Sequence, residues 1–195
     1  MISSSDPKVR KGHLIYNITQ DDTLYRQMNI KRWNSVETIK SQNLGEHHAS
    51  VTQITLTIIG NVEELGYTLS DKTKFLAMAG ASVHDLGEIK FGDMNYMLKV
   101  ENPALSEISN QIEHRFICKT LNYEKPFKAA QEDELARAIY KLADALDMLL
   151  FLAREYKLGS KNPELKAINT STNKLVKQGV DRLYELLEKN KNLYI

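Results

Sequence analysis

His47, His84, Asp85 and Asp144 are two imidazoles and two carboxylates drawn from distant stretches of a 195-residue chain. Neutral imidazole nitrogens and ionised carboxylate oxygens suit Mn, Fe, Co, Ni or Zn, and a site with two of each leaves positions open for water and substrate. One divalent transition ion held this way would lower the pKa of bound water and offset phosphate charge, so that hydrolysis needs no covalent intermediate. The His84-Asp85 dipeptide alone is a weak signal, because such pairs recur by chance. His48 competes with His47 for a ligand role, since adjacent helical residues point about 100° apart and only one can face a site. By itself His47 also suits a helix cap or a core position. Asp144 sits in the apolar run Lys141-Leu142-Ala143-Asp144-Ala145-Leu146 and asks for a cation. A metal could be that cation, and so could Lys141 three residues earlier on the same helix.

Further side chains could bind or activate an anionic substrate. Glu88 follows His84 by four residues, so on a helical backbone it projects from the same side, within reach of a bound water. Arg32 offers a bidentate fork for a phosphate, and Trp33 a flat face for a sugar or base. Lys99 and Lys141 are additional cations of the kind a polyphosphate would need. Asp93 follows Gly92 and reads either as a turn residue or as a carboxylate that orients a ligand. The chain contains no Gly-x-x-x-x-Gly-Lys loop, no Gly-x-Gly-x-x-Gly, no His-Glu-x-x-His and no Cys-x-x-Cys. P-loop, dinucleotide-binding, zincin and zinc-deaminase chemistries are thereby excluded.

The elements that must position these groups read as all-α, in a bundle of about six or more helices. Apolar residues recur at spacings of three and four, and sustained period-two alternation is missing. Val51, Ile54 and Ile58 mark a helix over about 46–65. Phe75, Leu76, Ala79 and Val83 mark a second that begins after Ser70 as N-cap and ends near His84. Asn102-Pro103 and Asn162-Pro163 each pair a capping side chain with a proline suited to the first helical position, which predicts helices over 103–121 and from 163 onward. The stripe Leu135, Ile139, Leu142, Leu146, Leu149 and Leu150 predicts a helix over 131–156, stopped at Leu158-Gly159. A last helix is expected over 175–189, with a solvated polar end at 188–192. The segments 86–100 and 122–130 read as connections. One domain over 28–190 is expected, with an N-terminal extension (1–27) and a short tail (191–195).

The formal net charge of +1 argues against a nucleic-acid polymer as partner through a broad positive field. Cys118 is the sole cysteine, so no internal disulfide forms, and it reads as a small core residue in a reducing compartment. Residues 1–12 carry no apolar leader, and the apolar stretch 146–153, interrupted by Asp147, is too short to cross a bilayer. A cytoplasmic protein without a membrane partner is expected. The apolar stripes on the last two long helices predict a homo-oligomer.

The order Arg32-Trp33, Glu46-His47, His84-Asp85 with Glu88, Gly92-Asp93 and Ala143-Asp144 resembles the HD-domain nucleotide phosphohydrolases, in particular the YfbR-type 5'-deoxynucleotidases. The resemblance spans about 28–187 and rests on the fifteen-residue step from Arg32 to His47 and the nine-residue step from His84 to Asp93. The short interval from Asp93 to Asp144, and Leu158-Gly159-Ser160-Lys161-Asn162, also resemble the DatZ-type dATP triphosphohydrolases of phages that carry 2-aminoadenine DNA. The resemblance implies that His47, rather than His48, joins His84, Asp85 and Asp144 as metal ligands, with Glu88 positioning or activating the attacking water. It further implies that Asp93 lies by the phosphate or sugar, and that Arg32 and Trp33 contact the phosphate and deoxyribose. Trp33 would then exclude a ribose 2'-hydroxyl by bulk. The implied activity is metal-dependent attack of water on the α-phosphorus of a deoxynucleotide, releasing a deoxynucleoside. The co-product is phosphate from a monophosphate or triphosphate from a dNTP. A non-catalytic nucleotide sensor is the rival of another class, and a purely structural helical module a third.

Overall fold

The structure, a computed structural model, describes residues 22–94, 96–119 and 123–191. Helix α1 (Thr23–Arg26) runs into a 3₁₀ turn (Gln27–Asn29), and strand β1 (Lys31–Arg32) pairs antiparallel with β2 (Gln42–Asn43). Then follow α2 (Leu44–Glu64), α3 (Asp71–Val83), a 3₁₀ turn (Leu86–Lys90), α4 (Tyr96–Glu101), α5 (Pro103–Lys119), α6 (Glu124–Glu132), α7 (Glu134–Lys157) and α8 (Pro163–Lys191). The two-residue ladder aside, the regular elements among the described residues are helical, and the all-α reading holds. No helix among them is long and apolar enough to cross a membrane.

Local chemistry sets where the helices begin. Asn43 Oδ1 accepts from Glu46 N while Glu46 Oε2 accepts from Asn43 N, both at 2.9 Å, a reciprocal cap that starts α2 at Leu44. Ser70 Oγ accepts from Thr73 N at the start of α3, and Asn162 Oδ1 accepts from Glu164 N at the start of α8. Asp133 Oδ1 accepts from Ala136 N, so α7 starts at Glu134 and not at 131.

Helix α7 is the centre of the bundle, packed against α2, α3 and α8. Val51, Ile59, Leu76, Ala77, Ile139, Tyr140, Leu142 and Leu187 meet in the largest core cluster, each large apolar side chain contributing about 1.5–3 kcal/mol by burial. Gly179 of α8 lies against Leu142, where an added Cβ would sit 3.1 Å from Leu142 Cδ1. That close approach keeps α7 and α8 in register along their length.

Several expectations change. Of the face expected on α3, Leu76 and Val83 are buried, but Phe75 is 64% exposed and Ala77 is buried beside Leu76 instead. Leu150 is likewise 58% exposed, and Phe151 and Leu152 point inward in its place. The segment 122–130 is no mere connection, since it contains α6; Pro126 is the third residue of that helix, in the first turn, where a missing N–H has no intrahelical partner to lose. The segment 86–100 likewise holds a 3₁₀ turn and most of α4, pieces of five and six residues that are too short to display periodicity. The helix expected over 175–189 is the second half of a continuous α8. Residues 22–29 fold against α2, with His48 Nδ1 donating to Gln27 Oε1 at 2.9 Å. Residues 1–21 and 192–195, covering most of the expected extension and tail, and the side chain of Cys118 lie outside what the structure describes.

Candidate metal centre and substrate pocket

The reciprocal cap at Asn43 places His47 one turn into α2, pointing at α7 and the end of α3. His84 and Asp85 follow the last turn of α3, and Asp144 comes from the middle of α7. The structure brings one ligand atom from each of His47, His84, Asp85 and Asp144 within 4.8 Å of one another. His47 Nε2 lies 3.3 Å from His84 Nε2, 3.4 Å from Asp85 Oδ2 and 3.5 Å from Asp144 Oδ1. His84 Nε2 lies 3.5 Å from Asp85 Oδ2 and 3.4 Å from Asp144 Oδ1.

Tautomers follow from what the other ring nitrogens touch. His84 Nδ1 is 3.1 Å from Ala81 O, a carbonyl that only accepts, so Nδ1 carries the proton. His47 Nδ1 donates to Asp147 Oδ2 at 2.7 Å. In the neutral rings both Nε2 lone pairs therefore face each other and two carboxylate oxygens, an arrangement that repels itself until a cation occupies the centre. Separations of 3.3–3.5 Å are ones that donors bonded at about 2.0–2.2 Å to a single ion could adopt. The residues fit a divalent transition metal.

His48, the competitor, is turned away: its ring is held by Gln27, and burial together with His84 and His47 keeps its pKa well below the ordinary value. Burial raises the Asp144 carboxyl, but His84 and Lys141 outweigh it and hold Asp144 strongly ionised. Lys141 Nζ is 3.4 Å from Asp144 Oδ2 and half exposed, so Asp144 has both a cation partner and a place in the cluster.

Glu88 is buried in the turn after Asp85, and its Oε2 has no hydrogen-bond partner. Burial and the nearby Asp85 carboxylate push its pKa well above the usual range. Arg32 Nη1 donates to Asp85 Oδ2 at 3.0 Å and lies 3.6 Å from Glu88 Oε2, so the guanidinium enters the site already anchored by carboxylates. Trp33 adopts φ 61°, a left-handed conformation uncommon for a bulky residue. Three contacts hold it there: its N–H donates to Asp93 Oδ2 at 2.7 Å, its Nε1 donates to Gln42 Oε1 at 3.2 Å, and its ring stacks on Phe151. Asp93 thus grips the backbone of Trp33. Lys99 Nζ is 3.5 Å from Glu113 Oε1.

These groups open on a cavity of about 780 Å³, lined on the metal side by Arg32, His84, Asp85, Glu88 and Asp144 and on the other by Trp33, Val36, Met148 and Ile168. A pocket with one polar end and one apolar wall, of this size, suits a small molecule with a charged group and a flat ring.

Sequence reasoning missed three members of the constellation. Asp147 was visible only as an interruption in an apolar run; its spacing of three from Asp144 puts both on one face of α7 and could have marked it. Gln42 donates from Nε2 to Asp147 Oδ2 at 3.0 Å. Glu155, fully buried, accepts from Ile39 N at 2.7 Å and Lys40 N at 2.8 Å, and so clamps the loop that follows Trp33. Neither Gln42 nor Glu155 carries a local signal.

Residues 22–186 match the profile of a family described as 5'-deoxynucleotidase YfbR-like. A 5'-deoxynucleotidase of Vibrio cholerae is 31% identical over 151 residues, covering 70% of this chain and 74% of its own length. A second, from Pasteurella multocida, is 24% identical over 159 residues, covering 76% and 78%. Among solved structures, the HD phosphohydrolase DatZ of cyanophage S-2L, bound to dA and one catalytic Zn²⁺ ion, superposes with a TM-score of 0.63. It is 23% identical and covers 86% of this chain and 94% of its own.

Proposed function

The chain belongs to the YfbR-like 5'-deoxynucleotidase family and is a hydrolytic enzyme, and from that premise we propose that it cleaves deoxynucleoside 5'-monophosphates into a deoxynucleoside and orthophosphate. The observation that supports this reading is the convergence of four donor atoms beside Glu88, a buried carboxylate whose Oε2 has Arg32 at 3.6 Å but no hydrogen-bond partner, at the polar end of the cavity. His47 Nε2, His84 Nε2, Asp85 Oδ2 and Asp144 Oδ1 would hold one divalent transition ion, drawn from Co, Mn, Zn, Ni and Fe. When bound, such an ion lowers the pKa of water and offsets phosphate charge.

The remaining work falls to this chain's own groups. Arg32, anchored at Nη1, presents its other N–H groups to the phosphate oxygens, and Lys141 and Lys99 supply further positive charge around them. Glu88 Oε2 holds the attacking water and takes its proton as the new P–O bond forms; the burial and the Asp85 carboxylate that raise its pKa make its ionised form a stronger base. The bond from phosphorus to O5' breaks, O5' takes up the proton that Glu88 has received, and the deoxynucleoside leaves. Trp33 lies against the sugar and fills the space a ribose 2'-hydroxyl would need, while Asp93 fixes the indole through the backbone.

A second reading is hydrolysis of a dNTP at the same phosphorus with release of triphosphate. The observation in its favour is that Arg137 and Arg182 line the same cavity as Lys99 and Lys141, cations beyond Arg32, although Arg182 pairs with Glu134 and Lys99 with Glu113. Incubation of the purified protein with each dNMP and dNTP in the presence of Co²⁺ or Mn²⁺, with identification of the phosphorus product, tests both readings. Orthophosphate from dNMPs is expected, and triphosphate from a dNTP would favour the second reading. Thermal stabilisation by nucleotides without any product would overturn both in favour of a sensor.

A further inference from the structure

Gln42 joins two parts of the pocket that the proposed reaction uses separately. Its Oε1 accepts from Trp33 Nε1 at 3.2 Å, and its Nε2 donates to Asp147 Oδ2 at 3.0 Å, the same oxygen that accepts from His47 Nδ1 at 2.7 Å. An indole N–H can only donate and an ionised carboxylate can only accept, so the orientation of the amide is set by its neighbours. A carboxylate at this position would face Asp147 with like charge, and a hydrocarbon would leave Trp33 Nε1 without its acceptor and remove one of the donors to Asp147 Oδ2.

The backbone of Gln42 is equally constrained. It pairs with Arg32 in the β1–β2 ladder and immediately precedes Asn43, whose side chain caps the helix that carries His47. One half-buried residue therefore meets Trp33 and Asp147 of α7 through its side chain, and Arg32 and the start of α2 through its backbone.

We propose that Gln42 is a positioning residue that couples His47 to Trp33 through Asp147, so that loading of the metal centre and placement of the indole in the pocket depend on each other. This rests on the reading of His47 as a metal ligand. An ion that takes the Nε2 lone pair makes Nδ1–H a stronger donor and draws Asp147 Oδ2 toward the imidazole. The Gln42 amide, sharing that oxygen, follows, and Trp33 Nε1 follows the amide. In the other direction, a substrate that presses on Trp33 steadies the carboxylate that orients His47.

Trp33 is the only tryptophan in the chain, so its fluorescence reports one end of this connection while calorimetric titration with Zn²⁺ reports the other. In metal-free wild-type protein, Trp33 emission is expected to shift in step with the zinc isotherm. Gln42→Met, of similar length but with neither donor nor acceptor, is expected to bind zinc roughly ten- to a hundredfold more weakly, the usual effect of losing an outer partner of a ligand, and to lose the emission response. Gln42→Glu keeps an acceptor for Trp33 while facing Asp147 with a carboxylate, so it should keep the metal-free emission and lose the response to zinc.

Equal zinc affinity and equal emission response in wild type and Gln42→Met would overturn the proposal. Weaker zinc binding with an unchanged emission response would confine Gln42 to His47 and overturn the coupling. Should Gln42→Met fail to fold, a wild-type emission response in Gln42→Glu is the overturning result. A wild-type protein that takes up no zinc is a different failure, since it removes the metal reading itself and the coupling with it.

Discussion

Trp33 lies flat on Phe151, with ring centroids 4.6 Å apart and planes 9° from parallel. The stack joins a residue held in a left-handed backbone conformation to the core side of α7, and it sets the angle at which the indole faces the cavity. Phe151→Leu keeps an apolar side chain at that position but removes the flat support, a contact worth about 0.5–1.5 kcal/mol beyond burial. The ratio of kcat/KM for deoxyribo- over ribonucleotides should fall by roughly two- to tenfold. An unchanged ratio would place sugar discrimination elsewhere.

Asp147 is the acceptor that keeps the proton on His47 Nδ1 and the lone pair on Nε2. Asp147→Asn offers either an oxygen or an NH₂ to Nδ1, and the NH₂ would favour the tautomer with its proton facing the cluster. Zinc affinity should drop by about ten- to a hundredfold, measured by competition with a chelating dye. Wild-type affinity in this variant would show that the charge of Asp147 is not needed to orient His47.

Glu88 lies outside the four-atom cluster yet has a buried oxygen without a hydrogen-bond partner. Glu88→Gln keeps the shape and removes the base. Turnover should fall by about a hundredfold or more while the metal content after dialysis stays at the wild-type value. Loss of metal together with turnover would instead make Glu88 a ligand.

Gly87 is where the turn carrying Glu88 touches α5 most closely. A Cβ added there would stand 2.3 Å from Glu113 Cα and 2.5 Å from Glu113 Cβ, so a backbone would have to move. Gly87→Ala should destabilise the fold by about 1–3 kcal/mol, the range for overpacking, and reduce turnover by displacing the neighbouring Glu88. Urea denaturation with an unshifted midpoint would contradict this contact.

Local chemistry was legible wherever it acts within a few residues. Ser70 and Asn162 cap the helices that their positions announce, and the spacing of Val51 and Ile58 marks a face of α2 that is buried. The segment 122–130, read as a connection, holds α6, whose first turn accommodates Pro126, and Phe75 is exposed while Leu76 and Ala77 carry the packed face. That His47, His84, Asp85 and Asp144 would come together could be expected from residue type and family resemblance. The spacing of Asp147 from Asp144 could have marked it, but its partner was not legible, since an acid in an apolar helix looks the same whether it meets a lysine, a histidine or solvent.

The sequence by itself determined the helical architecture, the beginnings of its main helices and the kinds of atom available for a metal and a phosphate, because propensity, capping and donor chemistry belong to single residues or short spans. Only the tertiary structure decided which nitrogen of His47 faces the cluster, why His48 does not, that Arg32 arrives already paired with Asp85, and that Gln42 links Trp33 to Asp147. Those outcomes depend on hydrogen bonds between residues as much as 105 positions apart, and a bond of that kind exists only once packing of α2 and α7 has brought donor and acceptor within 3 Å.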